Sequence, residues 1–199
     1  MNTKIKVVAL ATLIITLGAS AKAEGFLRPS ILFVSPGMAG ASDATGESLA
    51  FGTRFGAQAE HELSIEGNWV QWDEKTSYAG FAVSGSLKYA PYLANYRYYF
   101  GQKDSPVRLY FGPSAGIAIT KVSVTATGPG VNVAAGGSTT SAAYGGTAGL
   151  VIRLAEKVDL DVGYRYLYVK GSNVSVAGVT AQLDDAKANV LYAGVSFRF

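Results

Sequence analysis

Residues 158–170 read VDLDVGYRYLYVK, and they sort by strict alternation: Val158, Leu160, Val162, Tyr164, Tyr166 and Tyr168 on one side, Asp159, Asp161, Gly163 and Arg165 on the other. A period of two is that of a β-strand with unlike faces. LAFGTRFGA repeats it, with Leu49, Phe51, Phe55 and Ala57 against Gly52, Arg54 and Gly56. LYFGPSAGIAIT does so again, Leu109, Phe111, Ala115, Ile117 and Ile119 opposing Tyr110, Gly112, Ser114, Gly116 and Ala118. Slipping such a strand by one residue would turn Arg54 or Arg165 to the apolar side, which costs about 2–4 kcal/mol if that side is mid-bilayer hydrocarbon. In LYAGVSFRF the apolar set, Leu191, Ala193, Val195, Phe197 and Phe199, runs to the last residue. A face of that kind needs an apolar medium beside it.

Eight segments carry the pattern, at about 26–38, 47–58, 61–72, 87–100, 107–124, 142–154, 158–170 and 187–199. They exceed the usual five or six residues of a globular strand and suit a tilted strand crossing a bilayer, which takes about 9–11. Short connections at 59–60, 101–106 and 155–157 alternate with long ones at 39–46, 73–86, 125–141 and 171–186. Alternating short turns and long loops, with an even strand count, predict an all-β fold: an eight-stranded antiparallel transmembrane up-and-down β-barrel. Short turns and both termini then lie in the periplasm. The phase of the first strand, FLRPSILFVSPGM, stays open, because Ile31 to Val34 is apolar on both faces and two prolines interrupt it.

The first 23 residues have the form of a cleaved signal peptide: Lys4 and Lys6, an apolar run over 7–17, then Ala21-Lys22-Ala23. The run falls short of the ~20 residues a spanning helix needs. The barrel domain is therefore expected over 24–199. Of the 17 Lys and Arg, Lys4, Lys6 and Lys22 belong to the leader, which leaves 14 cations against 14 carboxylates. That balance carries no nucleic-acid footprint. With no cysteine there is neither a disulfide framework nor thiolate chemistry.

The terminal VSFRF and the hairpin GTRFGAQAEHELSIEGNWVQWD carry a family likeness. The chain resembles the small eight-stranded outer-membrane barrels that include OmpX, the membrane domain of OmpA and the Opa-like proteins. The resemblance implies insertion, as a monomer, among the lipids of a Gram-negative outer membrane, by the barrel-assembly machinery, with Phe199 and Phe197 as the assembly signal. It implies no single activity, since that family holds adhesins, structural barrels, narrow pores and enzymes.

The inward faces collect Arg54, Glu66, Asn95, Arg97, Arg108, Arg153, Asp159, Asp161, Arg165 and Arg198. These residues would form either a polar conduit or a plug of charges paired across the bore, and the narrowness of eight strands favours the plug. His61, the one histidine, stands near Ser64 and Glu66, the residue types of a lipid-deacylating triad. An exposed turn histidine is the expectation, because Ser64 and Glu66 face inward. The acidic pairs Asp43 with Glu47, Asp73-Glu74 and Asp184-Asp185 lack the ligand spacing of a calcium loop and read as solvated charge. Tyr92, Tyr96, Tyr98 and Phe100, like Tyr164, Tyr166 and Tyr168, read as lipid-facing girdles rather than sugar platforms.

The function expected is structural or adhesin-like, through loops that meet a surface or host protein, with no enzymatic activity, cofactor or metal. The alternative is a narrow porin-like channel. Alternation continuing through 122–133 and 174–183, with a turn near Ala177 and Gly178, further suggests hairpins standing above the membrane. Deleting Phe199 is expected to lower the amount of protein recovered in outer-membrane fractions; an unchanged yield would remove its role as assembly signal.

Overall fold

The computed structural model describes residues 23–37, 42–78, 81–129, 131–176 and 179–199. The expected leader, apart from Ala23, lies outside them, as do part of the first long connection and the turn expected at Ala177 and Gly178. Ten strands are present: β1 (Glu24–Pro36), β2 (Ala44–Phe55), β3 (His61–Tyr78), β4 (Phe81–Tyr99), β5 (Val107–Gly128), β6 (Val131–Ala155), β7 (Val158–Val169), β8 (Ser172–Val176), β9 (Val179–Leu183) and β10 (Ala186–Arg198). Eight close into an antiparallel barrel in the order β1-β10-β7-β6-β5-β4-β3-β2, while β8 and β9 form a separate hairpin. Hydrocarbon offers the backbone no hydrogen-bond partner, so the ring has to close on itself. At its seam Phe199 N donates to Gly25 O at 2.9 Å and Gly25 N to Phe199 O at 3.1 Å.

The open phase of β1 resolves as alternation. Phe26, Arg28, Leu32 and Val34 are buried inside, whereas Ile31 and Phe33 point out at 57% and 54% exposure. The β1–β10 ladder steps over Arg28 and Pro29 between Leu27↔Phe197 and Ser30↔Gly194, where the proline has no N–H to give.

Two expected loops are strand. Pairing of β3 with β4 continues through Asp73↔Ser86 to Tyr78↔Phe81, and that of β5 with β6 through Thr125↔Ala134 to Gly128↔Val131. The alternation simply has no breaker before the tips. At the opposite end β2 stops at Phe55, sooner than expected, because Gly56 turns the chain at φ 96° and Ala59 follows at φ 48°. Only glycine enters that region without strain.

Outside, large apolar residues such as Leu109 and Leu191 stand 59% exposed, a surface fitted to lipid. Inside, the half nearer the short turns is charged and the half nearer the long hairpins is apolar. Within the charged half, Gly149 and Gly163 are direct cross-strand partners on β6 and β7. A Cβ at Gly163 would meet the hydroxyls of Tyr192 and Tyr110, and one at Gly149 that of Tyr110. The missing side chains leave room for two tyrosines that bond each other at 2.6 Å. Gly163→Ala should therefore destabilise the refolded barrel by about 1–3 kcal/mol, read as a lower urea midpoint; an unchanged midpoint would mean the notch has slack.

Candidate functional site

Six arginines and four carboxylates are buried among the described residues, Arg28, Arg54, Arg97, Arg108, Arg165 and Arg198 with Glu62, Glu66, Asp159 and Asp161. Each reaches the bore because its strand's inward parity puts it there. Glu62, on β3, is the hub: its Oε1 accepts from Arg28 at 3.2 Å, and its Oε2 from Arg54 at 3.1 Å and Tyr99 at 2.5 Å. Arg97 Nε lies 3.7 Å from it. Asp161, on β7, accepts from Arg28 at 2.8 Å, Arg97 at 2.7 Å and Tyr110 at 2.5 Å. Arg54 and Arg97 stand directly opposite Glu62 on the neighbouring strands, so those contacts follow the wall, whereas Arg28 and Arg97 reach Asp161 across the bore.

The network has a layer on either side. Towards the turns, Asp159 takes Arg54 at 2.7 Å and Arg198 at 3.2 Å, and Arg198 also reaches Glu24 at 3.1 Å. Towards the hairpins, Arg165 grips Glu66 with both terminal nitrogens at 2.8 and 2.7 Å. Asn95 adds its amide to Glu66 at 3.3 Å and accepts from Ser114 at 2.6 Å. Tyrosine faces carry the remaining cation surface, with Arg97 4.6 Å from the Tyr110 ring and Arg54 4.9 Å from that of Tyr99. Arg108 differs from the others. Its donor contact is to Ala59 O at 3.3 Å, and no carboxylate lies at ion-pair distance among the described residues.

Of the residues singled out from sequence, Arg54, Glu66, Asn95, Arg97, Arg108, Asp159, Asp161 and Arg165 are all buried in the bore. Arg153 also faces inward, opposite Asp159, but at the mouth of the bore, where it is half-buried and bonded to Asp104 and to the Lys103 carbonyl. The sequence reading missed Arg28, hidden by the ambiguous phase of β1, and Glu62, whose parity with Ser64 and Glu66 did mark it. It also gave no role to Tyr99, Tyr110 and Tyr192.

His61 is no exposed turn residue either. It opens β3 in the outer aromatic belt, stacked 5.2 Å from Phe55, with Nδ1 2.8 Å from the Tyr96 hydroxyl. Ser64 and Glu66 are on the inner face, so the wall separates them from it. Among the described residues no cluster of carboxylates or histidine is arranged to hold a metal. Asp185 is engaged rather than merely solvated: the Tyr168 hydroxyl and Gly171 N–H donate to it and hold its pKa below the usual value. That contact ties the β8–β9 hairpin to β7, and Ser172 Oγ accepts from Thr139 and Ser141 of β6 at 3.1 and 2.9 Å.

Arranged in this way, the charges fill the bore. Arg28, Glu62, Arg97 and Asp161 are 0–1% exposed, and the space left at the turn end is about 10 Å³, room for one water. The family described as outer membrane protein beta-barrel domain matches residues 8–199. The chain belongs to this family. It is an outer-membrane barrel protein, and no curated protein matches it. Among solved structures, it is 18% identical to Neisserial surface protein A, with 90% of this chain and 100% of that one covered and a TM-score of 0.59. Ail, the attachment invasion locus protein of Yersinia pestis, in complex with the heparin analogue sucrose octasulfate, is also 18% identical, with the same coverage and a TM-score of 0.61. A major outer membrane protein from Thermus thermophilus is 14% identical over 90% and 100%, again at 0.61. At such identities the likeness is one of fold.

Removing one partner from a buried ion cluster strands the rest, at a cost of about 3–5 kcal/mol. Glu62→Gln keeps the shape and removes the charge shared by three arginines, so it should lower the unfolding free energy of the refolded barrel, measured by urea titration, by that much. Arg153→Gln, at the rim, should shift it by less than about 0.5 kcal/mol. Equal effects would mean the hub is not where the stability lies.

Proposed function

We propose that this protein is a monomeric, non-conducting and non-enzymatic barrel that works at the cell surface by presenting a β-strand edge to a partner protein. Short turns and both termini lie in the periplasm in this reading, and the long hairpins lie outside. The observation that carries it is an edge on β6 that no ladder pairing closes. Pairing of β6 with β7 begins only at Ala143↔Val169, whereas its pairing with β5 runs on to Gly128↔Val131. Beyond Ala142, therefore, that edge of β6 has no ladder partner among the described residues, although β8 packs against it.

β5 and β6 are 22 and 25 residues long, about twice what a bilayer crossing requires, so the upper part of the pair stands clear of lipid. Its sequence over 132–140, NVAAGGSTT, holds none of the charges or prolines with which exposed edges are usually blunted. Such an edge accepts an extended segment by backbone pairing. β8 lies against it with side-chain hydroxyl bonds from Thr139 and Ser141 to Ser172 instead of backbone pairing. The likeness to Ail, whose name records attachment, supports the same reading without fixing a receptor.

The ionic layers support the non-conducting part. In planar bilayers the purified protein should give no steps or very small ones, and large steady conductance would restore the pore. Cells expressing it should adhere to a surface or envelope partner, and deletion of 126–140 with 172–183 should abolish adhesion while the barrel stays heat-modifiable on gels. Adhesion surviving in the folded deletion variant would overturn the edge-presenting role.

A further inference from the structure

On the outer wall the apolar surface stops at a row of polar side chains. Along β5 the outward residues from Leu109 to Ile119 carry no charge, a run as long as the ~9–11 residues of a bilayer crossing, and the next outward residue is Lys121. Along β4 the outward run from Tyr98 to Ala90 ends at Lys88 in the same way. Ladder pairing sets Gln71, Lys88, Lys121 and Ser138 side by side across β3, β4, β5 and β6, and all four are exposed. Just below the row, on the lipid side, Trp69 meets Tyr92 edge to face, with centroids 6.5 Å apart and planes at 89°. Rings of that kind sit at the level of lipid headgroups.

Like charges directly opposite each other on neighbouring strands are destabilising. Lys88 and Lys121 are such a pair, and neither ammonium has a hydrogen-bond or ion-pair partner among the described residues. The carboxylates nearby do not neutralise them: Asp73 takes the Gln71 amide at 2.8 Å, and Glu47 stands opposite Trp69 on β2. Beside Lys88 lies an open groove of about 570 Å³ whose lining includes Ile31, Trp69 and Ala90. We propose that Lys88 and Lys121 hold the phosphomonoester of a lipid headgroup, with an acyl chain of the same lipid in the groove beside Trp69. A phosphomonoester carries a charge of about −1.5 to −2 at pH 7 and three acceptor oxygens, so one group answers both ammonium ions. The hydroxyl of Ser138, next to Lys121 in the row, is placed to donate to a further oxygen. The position of the pair, where hydrocarbon ends, selects a lipid over a soluble anion. The site belongs to the leaflet on the hairpin side, whichever way the barrel is inserted.

Trp69 supplies the reporter. The chain has two tryptophans, so Trp72→Phe leaves Trp69 alone, close to the groove and exposed to lipid; Trp72→Tyr is the substitute if that variant fails the heat-modifiability check for folding. In this background, refolded into phosphatidylcholine vesicles, phosphatidate with brominated acyl chains should quench Trp69 more strongly than brominated phosphatidylcholine at the same mole fraction. The label is present in both leaflets, so the direction of insertion does not matter. Lys88→Gln and Lys121→Gln should each weaken the preference for phosphatidate about fivefold, the worth of one cation at a charged lipid surface. Lys157→Gln, at the turn end, should leave it unchanged. Equal quenching by the two lipids, or a preference that survives both substitutions, would overturn the site. Equal quenching by brominated phosphatidylglycerol, a phosphodiester, would overturn the assignment to a phosphomonoester. Inorganic phosphate, added at an ionic strength matched with chloride, should leave the quenching as it was; loss of quenching would show a site for a free anion and overturn the lipid.

Discussion

An arginine cannot be left facing hydrocarbon, and in this barrel that prohibition settles which way each strand faces. Arg28, Arg54, Arg97, Arg108, Arg165 and Arg198 all turn inward, and six guanidinium groups in so narrow a bore require carboxylates opposite them. Glu62 and Asp161, 0% exposed, meet that requirement from β3 and β7, on opposite sides of the ring. The tyrosines follow from the carboxylates: Tyr110 donates to the Asp161 oxygen the arginines leave open, and Tyr99 shares Glu62 Oε2 with Arg54. The glycines follow from the tyrosines, since Gly149 and Gly163 make the space the Tyr110 and Tyr192 hydroxyls occupy. One exclusion rule thus propagates from strand phase to lumen chemistry to local composition.

How far the sequence could be read depended on how unlike a strand's two faces are. β7, with aspartates and an arginine opposing tyrosines, and β2, with Arg54, leave one register open and the structure adopts it. β1 is apolar on both sides over 31–34, so parity could not tell Leu32 from Phe33, and Arg28 stayed hidden with it. Parity placed Arg153 on the inner face, opposite Asp159, but could not say that it stands at the mouth, where its partners are the turn residues Lys103 and Asp104. Strand ends were legible when a residue stops the ladder and illegible when nothing does. The β5–β6 hairpin runs well past the bilayer because Val, Thr, Ser and Ala continue it, and composition alone does not say where water begins. The link between Asp185, in the connection from β9 to β10, and Tyr168 of β7 is a contact no local pattern encodes.

A wall this fully paired and a bore this fully charged leave the ends of the barrel as the places where chemistry can vary. At the hairpin end the upper edge of β6 has no ladder partner among the described residues, and β8 meets it through hydroxyl bonds instead. The shared scaffold explains why similar barrels can differ in what they do.

The seam between β1 and β10 joins residues that lie almost the whole chain apart, Glu24 and Arg198 being 174 positions distant. Every other wall contact joins strands adjacent along the chain, apart from the short excursion through β8 and β9. Closing the seam therefore bears the largest loop entropy in the molecule, while the hairpins close at little cost. Until it closes, the sheet has two raw edges and the cross-bore pairs of Arg28 have no fixed geometry. Seven neighbouring pairings join strands close along the chain, and with them the contacts around Glu62, whereas Arg28 with Asp161 and Glu24 with Arg198 exist only once the seam is shut.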